Sequence, residues 1–323
     1  MKREELLSRL PFNVSPIKKK RVIIHSDIKC EADDQYAIVH HLMTPTEDVR
    51  GIVASHSEWK YLVNERLKQF KGTSMQTNYE EGQKILQYMQ IDDIPLTKGA
   101  QYPFWAEDFS CESEGADFII KEAMREEDSP LYIACQGALT DIAIAYQKEP
   151  AIANRLTVIW IGGAPYPIGG DEPNLKEDPK AAQIVFASPI PLWQIPSNVY
   201  GKMQVSLSEI AEKVKECGKI GEYLFEEMTA LNDWYGNIPI RLDFPHGEIW
   251  SLGDNPTVSV LLQGAWNQCW EERKAPIIQD DMTYAENTEG KFIRVYESLD
   301  NRLTIDDFFS KLKLCYRDYL EKV

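Results

Sequence analysis

Short apolar runs and stretches of helical periodicity alternate along the chain. The run RVIIHSD (21–27) is followed by a helical pattern from about Asp33 to Met43. DVRGIVASH (48–56) reads as a second strand and leads into a helical stretch through YLVNERLKQF. SPLYIACQG (129–137) is a third and runs into a helix at LTDIAIAYQ, where Leu139, Ile142, Ala143 and Tyr146 share one face. RLTVIWIGGA (155–164) is a fourth strand, and ASPIPLWQIPS (187–197) holds a fifth. In EDPKAAQIVF, Asp178 is a natural N-cap and Pro179 suits the first turn of a helix. From about residue 206 the pattern turns helical and charged (SLSEIAEKVKECGKIGEYLFEEM), and TIDDFFSKLKLCYRDYLEKV reads as a closing helix. Strands alternating with helices predict an α/β fold, an open and mostly parallel sheet with helices on both faces. The connections should be right-handed. No internal repeat or low-complexity linker interrupts residues 1–323, so one domain is expected, with a helical extension at about 200–250 and a helical C-terminal portion.

Composition narrows the class. The chain has 323 residues, 43 % hydrophobic and 27 % charged, enough for a large core in a soluble globular protein. No apolar stretch approaches the roughly 18 residues of a membrane span. MKREELLSRLPFNVSP lacks the apolar centre of a signal peptide, so a cytoplasmic location is expected. The six cysteines are scattered without a C-x-x-C pair, which argues for reduced thiols. A net charge of −16 repels phosphate backbones and argues against a nucleic-acid partner. The basic run Lys18 to Arg21 reads as the solvated start of a strand.

The charge is concentrated where it needs a reason. Asp27, Glu31, Asp33 and Asp34 follow the first strand within eight residues. Ligands of open parallel sheets bind beyond the carboxyl ends of strands. Crowded carboxylates resist ionising together, and a hard divalent cation removes that penalty. A solvated acidic loop favouring a helix N-terminus accounts for the same residues, and the stretch alone leaves both readings open. Asp254 in WSLGDNPTVSVLL also stands before an apolar helical run, as ligand or as cap. The Gly- and Pro-rich loop GGAPYPIGGDEPNLKEDPKAA (162–182) offers Asp171, Glu172 and Asn174 to a sugar, or is an ordinary surface loop.

Taken in order, SDIKCEADDQYAI, QGALTDIA (136–143, with GADFIIKEA upstream), EPNLKEDPKAA and GDNPTVSVLL resemble the four successive motifs of the inosine-uridine-preferring nucleoside hydrolase family, and more closely a divergent branch of it. The resemblance covers roughly residues 21 to 262. It implies a glycosidase that cleaves the N-glycosidic bond of a ribonucleoside or related glycoside, with calcium as cofactor. By the same resemblance Asp27 is metal ligand and general base toward a metal-held water. Asp34, Asp254 and the backbone carbonyl of Gln136 complete the ligands, and Asp33, Glu172 and Asn174 hold the sugar. Relatives are commonly dimers or tetramers, so a homo-oligomer is expected.

The chain also departs from the family pattern. Two extra residues separate Asp27 from the Asp33–Asp34 pair, His25 replaces a usual acid, and Glu31 is additional. Gly253 stands where many members carry a His that helps protonate the leaving base. His56 and His246 are candidates to replace it, each also readable as an ordinary histidine; His40 and His41 read as structural. Trp59, Phe104, Trp105 and Trp250 are candidate pocket aromatics, and KGAQYPFWAEDF (98–109) resembles the family's mobile loop. A nucleoside- or sugar-binding protein that kept the metal site but lost catalysis is the alternative. A phosphotransfer hydrolase fits less well, because its Asp-x-Asp is HSDIK here.

Overall fold

Residues 1–237, 247–264, 266 and 268–317 are described by a computed structural model. The apolar runs become strands in register: β1 (Lys20–Ser26), β2 (Glu47–Ala54), β3 (Leu96–Lys98), β4 (Leu131–Gln136), β5 (Leu156–Ile161) and β6 (Leu192–Ile195). They lie in the order β3-β2-β1-β4-β5-β6, continued by Phe292–Ser298 and then Cys269–Lys274. All neighbours are parallel except the last pair. The runs are continuously apolar because helices cover both faces. Val22 and Ile24 of β1 enter one core with Ile52, Ala134, Ile159 and Ile161; Ile23 enters the other with Val53, Ile133, Val158 and Trp160.

Two expectations are corrected here. The stretch YLVNERLKQF is not one helix. Helix Glu58–Val63 stops at Asn64, whose backbone is extended, and only a 3-10 turn at Lys68–Phe70 follows. The Asn64 side chain accepts from the Arg66 N–H at 3.0 Å, the local bond by which Asn competes with a helix. The C-terminal portion is also not helical throughout. Helices Leu207–Lys213, Gly218–Gly236 and Asn301–Leu312 match the expected pattern, but Phe292–Ser298 and Cys269–Lys274 form one edge of the main sheet. Three-residue β3 and helix Ser74–Met89 were not foreseen either. Among the described residues no helix is long and apolar enough to cross a membrane.

Helix Asp33–Leu42 positions the site, and all ten of its residues are buried. Its last carbonyls cannot reach water. Arg3, from the N-terminal helix Arg3–Leu7, serves them instead. Its guanidinium donates to the carbonyls of Leu42 (2.9 Å), His41 (3.1 Å), Thr44 (2.8 Å) and Glu47 (2.8 Å). This satisfies the C-terminal acceptors and places a cation at the negative end of the helix dipole.

The two mid-helix histidines are structural, as their position suggested. His41 bonds Glu47 at 2.6 Å and Thr257 at 3.0 Å. His40 bonds Asp307 at 2.9 Å and Asn255 at 3.1 Å. Burial lowers His40 to about 4. The unfolded chain therefore takes up this proton first, near pH 6.5, and stability is lost as pH falls from 6.5 toward 4. At pH 5 the loss from His40 is about 2 kcal/mol. The crowded acids of the site work in the opposite sense, so the test is comparative. The fall in urea midpoint between pH 7 and pH 5 is expected to be larger in the wild type than in His40→Gln; equal falls would refute the assignment.

Candidate active site

The sheet reverses its winding between β1 and β4, since β1 continues to β2 on one side and β4 to β5 on the other. A cleft opens at such a switch point, beyond the strands' carboxyl ends. Ser26 pairs with Gln136 in register, so Asp27 emerges beside Gln136 and Gly137. A Cβ at Gly137 would lie 3.2 Å from Asp27 Oδ1; glycine leaves that carboxylate room against the backbone.

Three chain segments bring acids to this cleft. Asp33, Asp34 and Asp254 offer carboxylate oxygens within 4.8 Å of one another, and Asp27, Cys30 and Asp34 offer ligand atoms within the same distance. Asp27, Asp33, Asp34 and Asp254 are all buried. Glu31, partly buried, lines the same cavity. Asp33 and Asp34 do lie in the first turn of helix Asp33–Leu42, but they are buried rather than solvated, and neither is its N-cap. Ala32 is the N-cap of helix Asp33–Leu42 and provides no side-chain cap. At helix Pro256–Leu262 the Asp254 backbone carbonyl, not its carboxylate, accepts from the Thr257 N–H at 3.1 Å and hydroxyl at 2.7 Å. Thr257 is the hub beneath the site, because the same hydroxyl also accepts from Gln136 Nε2 at 2.8 Å. Asp34 accepts a short hydrogen bond from Ser26.

Burial and mutual repulsion push Asp34 and Asp254 well above the usual carboxylate range, with Asp27 the largest charged neighbour of Asp34, and Asp34 of Asp254. Burial, then Glu31, raises Asp33 as well. Asp27 Oδ1, Asp33 Oδ1 and Gln136 Oε1 are buried without a partner. Unpaired oxygens at the mouth of a sheet are costly unless something charged meets them, and an all-oxygen acceptor set suits a hard divalent cation. The residues present therefore fit such an ion.

The opposite wall comes from the loop after β5. Glu172 caps the short helix Pro173–Glu177, accepting from the N–H groups of Gly163 (2.7 Å), Asn174 (3.2 Å) and Leu175 (2.9 Å) and from the Tyr200 hydroxyl (2.8 Å). Asn174 Nδ2 donates to the Ile161 carbonyl at 2.9 Å, which fixes its Oδ1 toward the cavity side occupied by Lys60. Glu172 and Asn174 both line the acidic cavity, while Asp171 is exposed and paired with Lys176. A Cβ at Gly253 would meet Asp33 Oδ2 at 3.1 Å and the Tyr200 ring at 3.2 Å. Glycine at 253 thus leaves room for the Asp33 carboxylate and the Tyr200 ring, which both line the cavity.

Lys60 was missed by sequence reasoning. It lies in helix Glu58–Val63, and its ammonium reaches Asp27 Oδ2 at 2.7 Å, Asn174 Oδ1 at 2.9 Å and Cys30 Sγ at 3.4 Å. Burial alone would lower its pKa, but Asp27, Cys30, Glu31 and Glu177 outweigh it and hold the ammonium well above its ordinary value. No motif flags this lysine; only the fold of the segment after β2 brings it in.

The remaining candidates lie elsewhere. His25 points to the other face of β1, 2.8 Å from Asp141. His56 is buried behind the site, bonded to Thr140 at 2.8 Å, and burial lowers it to about 4. His246 lies outside the described residues. Trp250 is core. Phe104 stacks on Phe109, and Trp59 and Trp105 flank a separate surface cavity with Lys176. None of the four aromatics lines the acidic cavity.

A doubly wound α/β fold with converging carboxylates at its switch point defines a class of small-molecule site. The family model for inosine-uridine preferring nucleoside hydrolases matches residues 22–302, and the chain belongs to that family. A probable uridine nucleosidase 2 of Oryza sativa subsp. japonica is 26 % identical over 129 residues, 38 % of each chain. A pyrimidine-specific ribonucleoside hydrolase of Salmonella paratyphi A is 24 % identical over 203 residues, 55 % of this chain and 61 % of that one. The matched part is therefore less than two thirds of either relative. Among solved structures, a purine-preferring ribonucleoside hydrolase from Gardnerella vaginalis superposes with a TM-score of 0.74 at 18 % identity, over 92 % of this chain and 99 % of the other. An inosine-guanosine nucleoside hydrolase gives 0.69 at 16 % identity, over 91 % and 98 %. At such identities the structures share the fold.

Proposed function

We propose that this chain hydrolyses the N-glycosidic bond of a ribonucleoside with the help of a bound calcium ion. The observation that carries the reading is the convergence of Asp27, Asp34 and Asp254 with Gln136 at one strand-end cleft, among buried oxygens that lack partners. These four residues are proposed to hold the ion. When bound, it supplies a Lewis acid that lowers the pKa of the attacking water and a template for the vicinal hydroxyls.

The protein's own groups carry the other steps. Asp27 takes the proton of the attacking water; its Oδ1 is unpartnered. Asp33 and Asn174, with Glu172 fixing the latter's backbone, grip the ribose hydroxyls. Positive charge develops on the sugar as the bond to the base lengthens, and the surrounding carboxylates favour it.

Free ribose released from inosine and from uridine is the measurement. Release is expected with calcium, to stop with a chelator and to resume when calcium is returned. No release from any purine or pyrimidine nucleoside with calcium present would overturn the reading. A second reading has its own support. Gly253 supplies no acid and Lys60 neutralises Asp27, which suits a protein that binds nucleosides without cleaving them. Calorimetric binding without ribose release would establish it.

A further inference from the structure

We propose that Lys60 is a built-in counter-ion that competes electrostatically with the divalent cation and sets how tightly this site holds it. The proposal rests on the metal reading above and goes beyond it, because none of the family motifs includes this residue. Three observations support it. The ammonium has three N–H donors, and three acceptors meet them: Asp27, Asn174 and Cys30. Its side chain is only 11 % exposed. Its helix is pinned at the start, because Glu177 accepts from the N–H groups of Trp59 (2.9 Å) and Lys60 (2.8 Å). Glu177 ends the same short helix that carries Asn174, so one rigid piece holds both the lysine's backbone and one of its acceptors.

The electrostatic consequence is direct. Lys60 binds Oδ2 of Asp27, while Oδ1 of the same carboxylate is free. A cation bound at Oδ1 shares that carboxylate with a like charge at close range in a buried setting, where screening is weak. A site with this lysine should fill at a higher cation concentration than the same site without it.

Calcium titration calorimetry on the full chain tests this with Lys60→Met and Lys60→Arg. Lys60→Met is expected to bind calcium at least about tenfold more tightly than wild type. Lys60→Arg, which keeps the charge, is expected to stay close to wild type. Calcium-dependent rises in Tm should follow the same order, and Lys60→Gln replaces Lys60→Met if the latter does not fold. Equal or weaker calcium binding in the neutral variant would overturn the proposal and leave the metal reading standing. Equal tightening in Lys60→Arg would also overturn it, since packing rather than charge would then be responsible. If neither wild type nor the neutral variant binds calcium, both the proposal and the metal reading fall. Binding by the neutral variant alone would support Lys60 as the dominant cation of the site.

Discussion

Asp27→Asn is expected to lower kcat for ribose release by about a hundred- to ten-thousand-fold, the range for losing a positioned general base. Asn has nearly the volume of Asp and can still accept from Lys60, so packing at the end of β1 changes little. What it cannot do is take a proton at Oδ1, the carboxylate oxygen left without a partner. The measurement must be made at saturating calcium, because Asp27 is also a proposed ligand and its loss will weaken the ion. Nucleoside binding should persist in the variant. A kcat within a few-fold of wild type under those conditions would remove Asp27 from the proposed reaction.

The largest effect on stability is expected far from the cleft. Arg3→Met should cost about 2–3 kcal/mol, the usual result of removing a charged donor from buried backbone carbonyls. Methionine fills much of the same space, but the four carbonyls around the end of helix Asp33–Leu42 lose the guanidinium, and of these His41 and Thr44 keep a backbone donor, the N–H of Thr44 and of Glu47. Arg3 is only 5 % exposed, so water does not readily replace it. Urea unfolding would measure the cost, and a change under 1 kcal/mol would show that the carbonyls find other partners. Because the same helix presents Asp33 and Asp34 at its other end, the variant should also bind calcium less tightly.

The two effects share one structural cause. The helix that bears the acids is buried on every side, so its polar ends must be met by protein groups. Arg3 meets one end. At the other, Asp33 and Asp34 are forced together with Asp27 and Asp254, and burial raises the cost of ionising them. A cation that enters there relieves repulsion already built into the fold.

Much of this was readable from the residues. Apolar runs such as RVII and TVIWI gave the central strands because a strand covered on both faces has few polar positions. The acids after β1 were legible because so much like charge beside a buried run is improbable without a use. Gln136, Asp254 and the EPN turn lay in recognisable order. Helix Glu58–Val63 was harder, since its end at Asn64 depends on a local side-chain bond that periodicity does not register. The edge strand Cys269–Lys274 was hidden because four consecutive charged residues, Glu271 to Lys274, stand where an apolar run would mark a strand.

By itself, then, the sequence determined the parallel sheet and which carboxylates crowd its mouth, because burial and charge leave a mark on neighbouring residues. Only the tertiary structure decided that the Asp254 carboxylate joins the other acids while its carbonyl serves the helix, that His25 faces away, and that Lys60 reaches Asp27 from 33 residues along the chain. Those outcomes depend on distances between segments that are remote in sequence, and no local pattern encodes a distance of that kind.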